Sequence, residues 1–267
     1  MYRRQFLTLP LALVVAPLGR VFAAVASRKG DYAADVAILY RAFTLHLAGT
    51  MDENVDRAAG RYDVTISGEG SRIANRIQSQ GVLREGRWAP TRVTSWFQVV
   101  GRESRTTLVY DYAAGKVEYQ SRSETFLLRR QRVAEDVLPL GSGHVDDAIS
   151  AILNYADGRW PAEADGTFHT RLIRRRRRAD EGPDDVEAVY RAEFIPLVLK
   201  VGADPESGKP TALFDMSGFS SWARADRPAR IVFGPDRRPE LIESSLILGT
   251  SVTIRLRIPG WRRGSAC

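Results

Sequence analysis

Hydrophobic and polar residues alternate with period two along much of the chain, the pattern of strands that bury one face. Residues 61–67 show it cleanly: Tyr62, Val64 and Ile66 share one side, and Asp63, Thr65 and Ser67 the other. Residues 36–47 read as an earlier strand, and 81–83 and 90–99 as further extended segments. Residues 105–112 and 116–121 read as a hairpin turning at Ala113-Ala114-Gly115. Residues 167–178 and 186–194 predict a second hairpin, and 212–219, 229–233, 240–248 and 251–258 the last strands. Turns fall at Gly234-Pro235-Asp236 and Gly249-Thr250.

Two stretches leave this period. Ile73, Ala74 and Ile77 sit at helical spacing, which predicts a short helix within residues 71–80. Residues 145–156 predict a better one, with an apolar stripe of Ala148, Ile149, Ile152 and Leu153. Asp146 and Asp147 fall in its expected first turn, where negative charge suits the helix dipole, and Asp157-Gly158 ends it. With no repeat and no long linker, residues 32–258 form a single mainly β domain. Residues 28–31 precede it as a short linker and 259–267 follow as a loose polar tail.

The N-terminus breaks the picture differently. Arg3 and Arg4 precede a short apolar stretch over residues 6–19, interrupted by Thr8, Pro10 and Pro17, and Val21-Phe22-Ala23 supplies small residues for cleavage after Ala23. Residues 1–23 therefore read as an export signal, twin-arginine-like or secretory, that delivers the chain to the periplasm. The alternative is an uncleaved leader that tethers it to the membrane. The net charge is +7, and three of those charges lie in the leader, which leaves a mildly basic remainder. Such a balance suits anionic lipid surfaces and does not require nucleic acid.

Chemistry is sparse. The single cysteine, Cys267, makes neither an internal disulfide nor a thiolate metal site. There is no HExxH, no GxSxG elbow, no glycine-rich dinucleotide turn and no P-loop; Gly208-Lys209 is followed by Pro210. His46, His144 and His169 are far apart, and each reads as a packed or surface histidine. Gly141-Ser142-Gly143-His144 reads as the lead into the helix, because triad members converge from distant segments. No catalytic residue, metal site or cofactor is expected. Arg174, Arg175, Arg176, Arg177 and Arg178 run consecutively, with Asp180, Glu181, Asp184 and Asp185 close behind. Cross-strand pairing of the two runs is one reading, and a patch for an anionic surface is the other.

The order of these features carries a resemblance. A tyrosine-bearing strand (Tyr62-Asp63-Val64), Gly81 and Pro90, the hairpin from Tyr110-Asp111-Tyr112 to Gly115-Lys116-Val117, a helix opening Asp147-Ala148-Ile149-Ser150, and a closing strand–turn–strand with Asp236, Arg238-Pro239 and Gly249 follow in sequence. Over about residues 32–257 this resembles the bacterial family known as domain of unknown function 3108. The arginine run departs from its pattern. The resemblance implies one curved antiparallel sheet or open half-barrel with one or two short helices packed on it. It carries no catalytic residues. The expected function is that of a non-enzymatic envelope protein holding a lipid or other apolar ligand in the curved sheet, with an envelope protein as a possible partner. The alternatives are a hydrolase whose site assembles only in three dimensions, and a structural or assembly factor without a ligand.

Overall fold

The computed structural model describes residues 26–38, 40, 42–125, 128–176, 181–182, 184–187, 189–217, 223–224, 226–246 and 249–257. The predicted leader, the tail, Arg177, Arg178 and Cys267 lie outside them. The described chain forms strands β1 (Ala26–Ile38), β2 (Phe43–Asp56), β3 (Arg61–Glu69), β4 (Ile73–Arg84), β5 (Arg87–Val99), β6 (Arg102–Asp111), β7 (Lys116–Glu124) and β8 (Gln131–Pro139). Helix α1 (Ala148–Ala156) follows, then β9 (Thr167–Arg175), β10 (Ala192–Ala203), β11 (Pro210–Phe214), β12 (Ala229–Phe233), β13 (Pro239–Ser245) and β14 (Ser251–Arg257).

All the strands belong to one antiparallel sheet of 14, in the order β8-β7-β6-β5-β4-β3-β2-β1-β14-β13-β12-β11-β10-β9. The first and last strands pair at its centre, Tyr32 opposite Leu256 and Ala34 opposite Ile254. The two edges, β8 and β9, are consecutive in the chain, with α1 in the connection between them. The sheet rolls into a nearly closed barrel. Near the seam Ala192 donates its backbone N–H to the Asp136 carboxylate at 2.9 Å, and Ala134 bridges Tyr190.

Alternation shows how the roll is filled. Register places Val64, Ser79, Val93, Leu108 and Tyr119 on one face of β3–β7. Phe168, Leu172, Leu197 and Leu199 turn one face of β9 and β10 toward Ala151 and Tyr155 of α1. Their strand neighbours Ile173, Ala192 and Phe194 turn the other way and pack with Val93, Leu108, Tyr110, Val117 and Tyr119. The β9–β10 edge is thus packed on both faces and tucked against the concave side of β5–β8. Ile149 and Leu153 of α1 meet Met51, Val55, Tyr62, Val64 and Trp88. The helix therefore joins the two halves of the sheet across the interior.

Several expectations change. Residues 71–80 are not helical but belong to β4, where Ile77 pairs with Ile66 and Ser79 with Val64. Strands on both sides supply backbone partners, whereas a short helix is marginal by itself. Residues 36–47 span two strands, because β1 ends at Ile38 and β2 runs back from Phe43, with Tyr40 left-handed at φ 55. That turn holds no glycine or proline to mark it. Residues 28–31 are not a linker but part of β1, with Arg28 opposite Glu53. The strand expected at 186–194 begins only at Ala192 and runs to Ala203, and β8 was not foreseen. The helix starts at Ala148, so Asp147 is its N-cap and Asp146 lies before it, and neither sits in the first turn.

Candidate functional site

Asp147 enters the helix in extended backbone and accepts the Ser150 N–H at 2.8 Å, while Ser150 Oγ accepts the Asp147 N–H at 2.9 Å. This reciprocal capping box fixes the start of α1. Asp157 and left-handed Gly158 finish it, with the Asp157 N–H donating to Leu153 O at 2.9 Å.

The cap positions Asp146, whose side chain is fully buried. Its carboxylate accepts from Arg87 at 2.9 Å, Ser150 Oγ at 2.8 Å, Asn154 Nδ2 at 2.8 Å and Thr170 Oγ1 at 2.6 Å. His144 Nε2 lies 3.1 Å from it and 3.1 Å from Trp88 O. The donors come from β5, α1, β9 and the lead into the helix. One carboxylate thereby ties both half-sheets to the helix, and charge-assisted bonds of this kind are the stronger ones. Asn154 adds a second tie: its Oδ1 accepts the Trp88 N–H at 2.7 Å and its Nδ2 donates to Trp88 O at 2.8 Å. Asp157 accepts two bonds from Arg57, at 2.7 and 3.1 Å, and the Trp88 indole N–H at 3.0 Å. Glu53 and Arg238 form an ion pair across the interior that is almost wholly buried.

Burial pushes the Asp147 carboxyl up, against the bonds from Ser150. At Asp157 burial also pulls upward, but the bonds from Arg57 and Trp88 outweigh it and hold the carboxyl below its ordinary range. Burial raises the Tyr62 and Tyr110 hydroxyls strongly. Tyr62 meets Ser79 Oγ at 3.0 Å, whereas the buried Tyr110 hydroxyl has no hydrogen-bond partner.

Serine, histidine and aspartate do come together here, but not as a nucleophile and its base. Ser150 Oγ and His144 Nε2 both address Asp146 Oδ1, and the imidazole does not hold the hydroxyl. The Ser150 proton goes to Asp146 and its lone pair to the Asp147 N–H, on a side chain with no exposure. A triad needs the serine hydrogen-bonded to the histidine.

Of the three histidines singled out in the sequence, His144 joins this site and the other two do not. His46 is exposed on β2, with Nδ1 2.7 Å from Asp35, whose carboxyl that bond lowers. His169 is half exposed, 3.5 Å from Glu163. Among the described residues no group of three His, Cys, Asp or Glu side chains is placed to hold a metal ion. The arginine run is not one surface stripe, because strand alternation sends Arg174 and Arg175 to opposite faces. Arg174 binds Glu193 at 2.7 Å. Arg175 turns into the seam, binds Glu181 at 2.6 Å and lies over the Tyr190 ring. Arg176 is exposed, 3.5 Å from Glu193. The node itself was missed in the sequence reading. Its one local signal was the spacing of Asp147 and Ser150; Arg87, Trp88 and Thr170 carry none.

Two open clefts lie among the described residues. One of about 480 Å³ is lined by Glu118, Tyr119, Gln120, Glu135, Asp136, Val137 and Arg191. Another, of about 380 Å³, lies over Asn54, Asp63, Gln80 and Thr91. The first lining is mostly polar, whereas the second, which also includes Tyr62, Gly81 and Val82, exposes mainly apolar surface.

Fold and node together define a class: a rolled antiparallel sheet whose interior is braced by one capped helix. No protein-family model matches the chain, and no curated protein matches it in sequence. Among solved structures it is similar to the beta-barrel-like protein of domain of unknown function DUF1849 from Brucella abortus. The match has a TM-score of 0.42 at 11% identity and covers 90% of this chain and 100% of that one.

Proposed function

We propose that this chain is an exported, non-enzymatic envelope protein that acts as a structural or assembly module through its outer surface. The observation that carries this reading is the use made of the interior polar groups. Asp146 gathers donors from four segments, Asn154 takes both backbone groups of Trp88, and Ser150 is committed twice. Groups spent on bracing are poorly placed to serve a substrate. The reading of residues 1–23 as an export signal supports an envelope location.

A second reading, a carrier of a lipid or other apolar ligand, is favoured by one observation. Phe97 pairs with Asn75, whose amide oxygen meets the buried Tyr32 hydroxyl, so Phe97 faces the interior. It is nevertheless 41% exposed, as an apolar mouth would leave it.

Native mass spectrometry of protein purified from its own envelope tests both. A mass beginning at Ala24 with no adduct is expected; a copurifying lipid favours the carrier, and an intact Met1 overturns processed export. Turnover of ester or peptide substrates that Ser150→Ala abolishes would overturn the non-enzymatic reading.

A further inference from the structure

Because neighbouring strands run antiparallel, the β1–β2, β3–β4, β5–β6 and β7–β8 turns all lie at one end of the roll, and α1 lies at the other. We propose that this hairpin end docks onto an anionic lipid bilayer. The proposal goes beyond the preceding reading and does not depend on what the interior holds.

The first observation is where the apolar side chains are. Tyr40 is 83%, Phe43 64% and Leu128 67% exposed, and all three lie at these tips. No large hydrophobic residue of comparable exposure lies on the turns at the helix end among the described residues. The tips form one arc. Tyr40 N–H donates to Gly249 O at 3.1 Å, Val100 N–H to Arg72 O at 2.7 Å, and Arg129 to Gly101 O at 2.6 Å. Tyr40, Val100 and Arg129 are all left-handed, at φ 55, 52 and 55. A tyrosine and a β-branched valine occupy turn positions that glycine or asparagine fills without strain. The strain is confined to single residues and keeps bulky apolar groups at the tips.

Charge identifies the partner. Over residues 67–75, 97–105 and 122–132 the chain carries seven arginines against three glutamates, and the β9–β10 connection at the same end adds Glu181, which pairs with Arg132, and Asp184, which accepts the Leu128 N–H at 2.7 Å. Glu103 is held by Arg105 at 2.9 Å and Glu124 lies 3.6 Å from Arg129. Arg72 and Arg130 are exposed beside the apolar tips, with no carboxylate partner among the described residues. Exposed aromatic and aliphatic groups flanked by unpaired guanidiniums match the boundary between acyl chains and phosphate headgroups. Each arginine near such a surface contributes about fivefold in binding.

Cosedimentation of the mature chain tests the proposal, with vesicles of phosphatidylglycerol and phosphatidylethanolamine against phosphatidylcholine alone. The wild type is expected to prefer the anionic vesicles, and more so at low salt. Tyr40→Ser/Phe43→Ser/Leu128→Ser is expected to lose at least about tenfold. Arg72→Ser/Arg130→Ser is expected to lose about 25-fold, together with much of the salt dependence. Arg61→Ser/Lys209→Ser removes equal charge from the helix end and is expected to stay within about threefold of wild type. Circular dichroism and melting of each variant confirm the fold. Equal losses at both ends would show net charge alone and overturn the proposal. Absence of vesicle binding by the wild type also overturns it and leaves the arc to a protein partner.

Discussion

The two ends of the roll satisfy their polar groups in different ways. At the helix end, side chains far apart in sequence meet: Arg57 with Asp157, Arg87 with Asp146, Arg28 with Asp236, and Glu53 with Arg238. Its turns are also self-capped. Asp56 accepts from the Ala58 and Ala59 N–H groups, Asp111 from Ala114, and Asp204 from Glu206 and Ser207. At the hairpin end the tips touch mainly through backbone carbonyls, and Tyr40 and Arg129 stand exposed in left-handed conformations, as Glu85 does at the helix end. One end holds the sheet closed and the other presents side chains. Stability is therefore concentrated at the helix end, and substitutions at the two ends differ in size and even in sign.

The largest effect is expected from Asp146→Ala, which strands Arg87 and removes the tie between the half-sheets. Breaking a buried pair costs about 3–5 kcal/mol, and urea titration measures it. Arg238→Met leaves Glu53 buried and unpaired, at a similar cost of about 3 kcal/mol. Adding Glu53→Leu should recover most of that loss, because the apolar pair has no charge to desolvate; a double-mutant cycle reads the difference. Asn154→Leu leaves both backbone groups of Trp88 without their amide and should cost about 2 kcal/mol. At the other end the sign reverses. Tyr40→Asn relieves a strained and exposed tyrosine and should stabilise the fold by about 1 kcal/mol in a thermal melt. Comparable losses at both ends would break the comparison.

Dependence on pH separates two carboxyls of the helix end. The folded Asp147 is raised, so as pH rises past the ordinary carboxylate range the unfolded chain releases its proton first and this contribution to stability falls. The folded Asp157 is lowered, so its contribution is complete above the ordinary range and is lost as pH falls toward its depressed value. Asp147→Asn keeps a side chain able to cap and should flatten the first slope; Arg57→Met should flatten the second. Urea midpoints measured across acidic pH check both.

Local pattern fixed what depends on neighbours in sequence. The alternation of Tyr62, Val64 and Ile66 specified β3, residues 229–233 specified β12, and Asp157-Gly158 marked the end of α1, because one strand face or one helix stop is decided within a few residues. Mainly β character followed from the same signal. Only the tertiary structure decided the rest. Residues 71–80 became β4 once β3 and β5 flanked them. The turn at Tyr40 had no glycine to announce it. Arg174 and Arg175 were divided between two faces by the pleat. Asp146 became a node only when β5, β9 and α1 met around it, since a buried carboxylate is satisfied by whichever donors the fold delivers, and these lie up to 59 residues away along the chain.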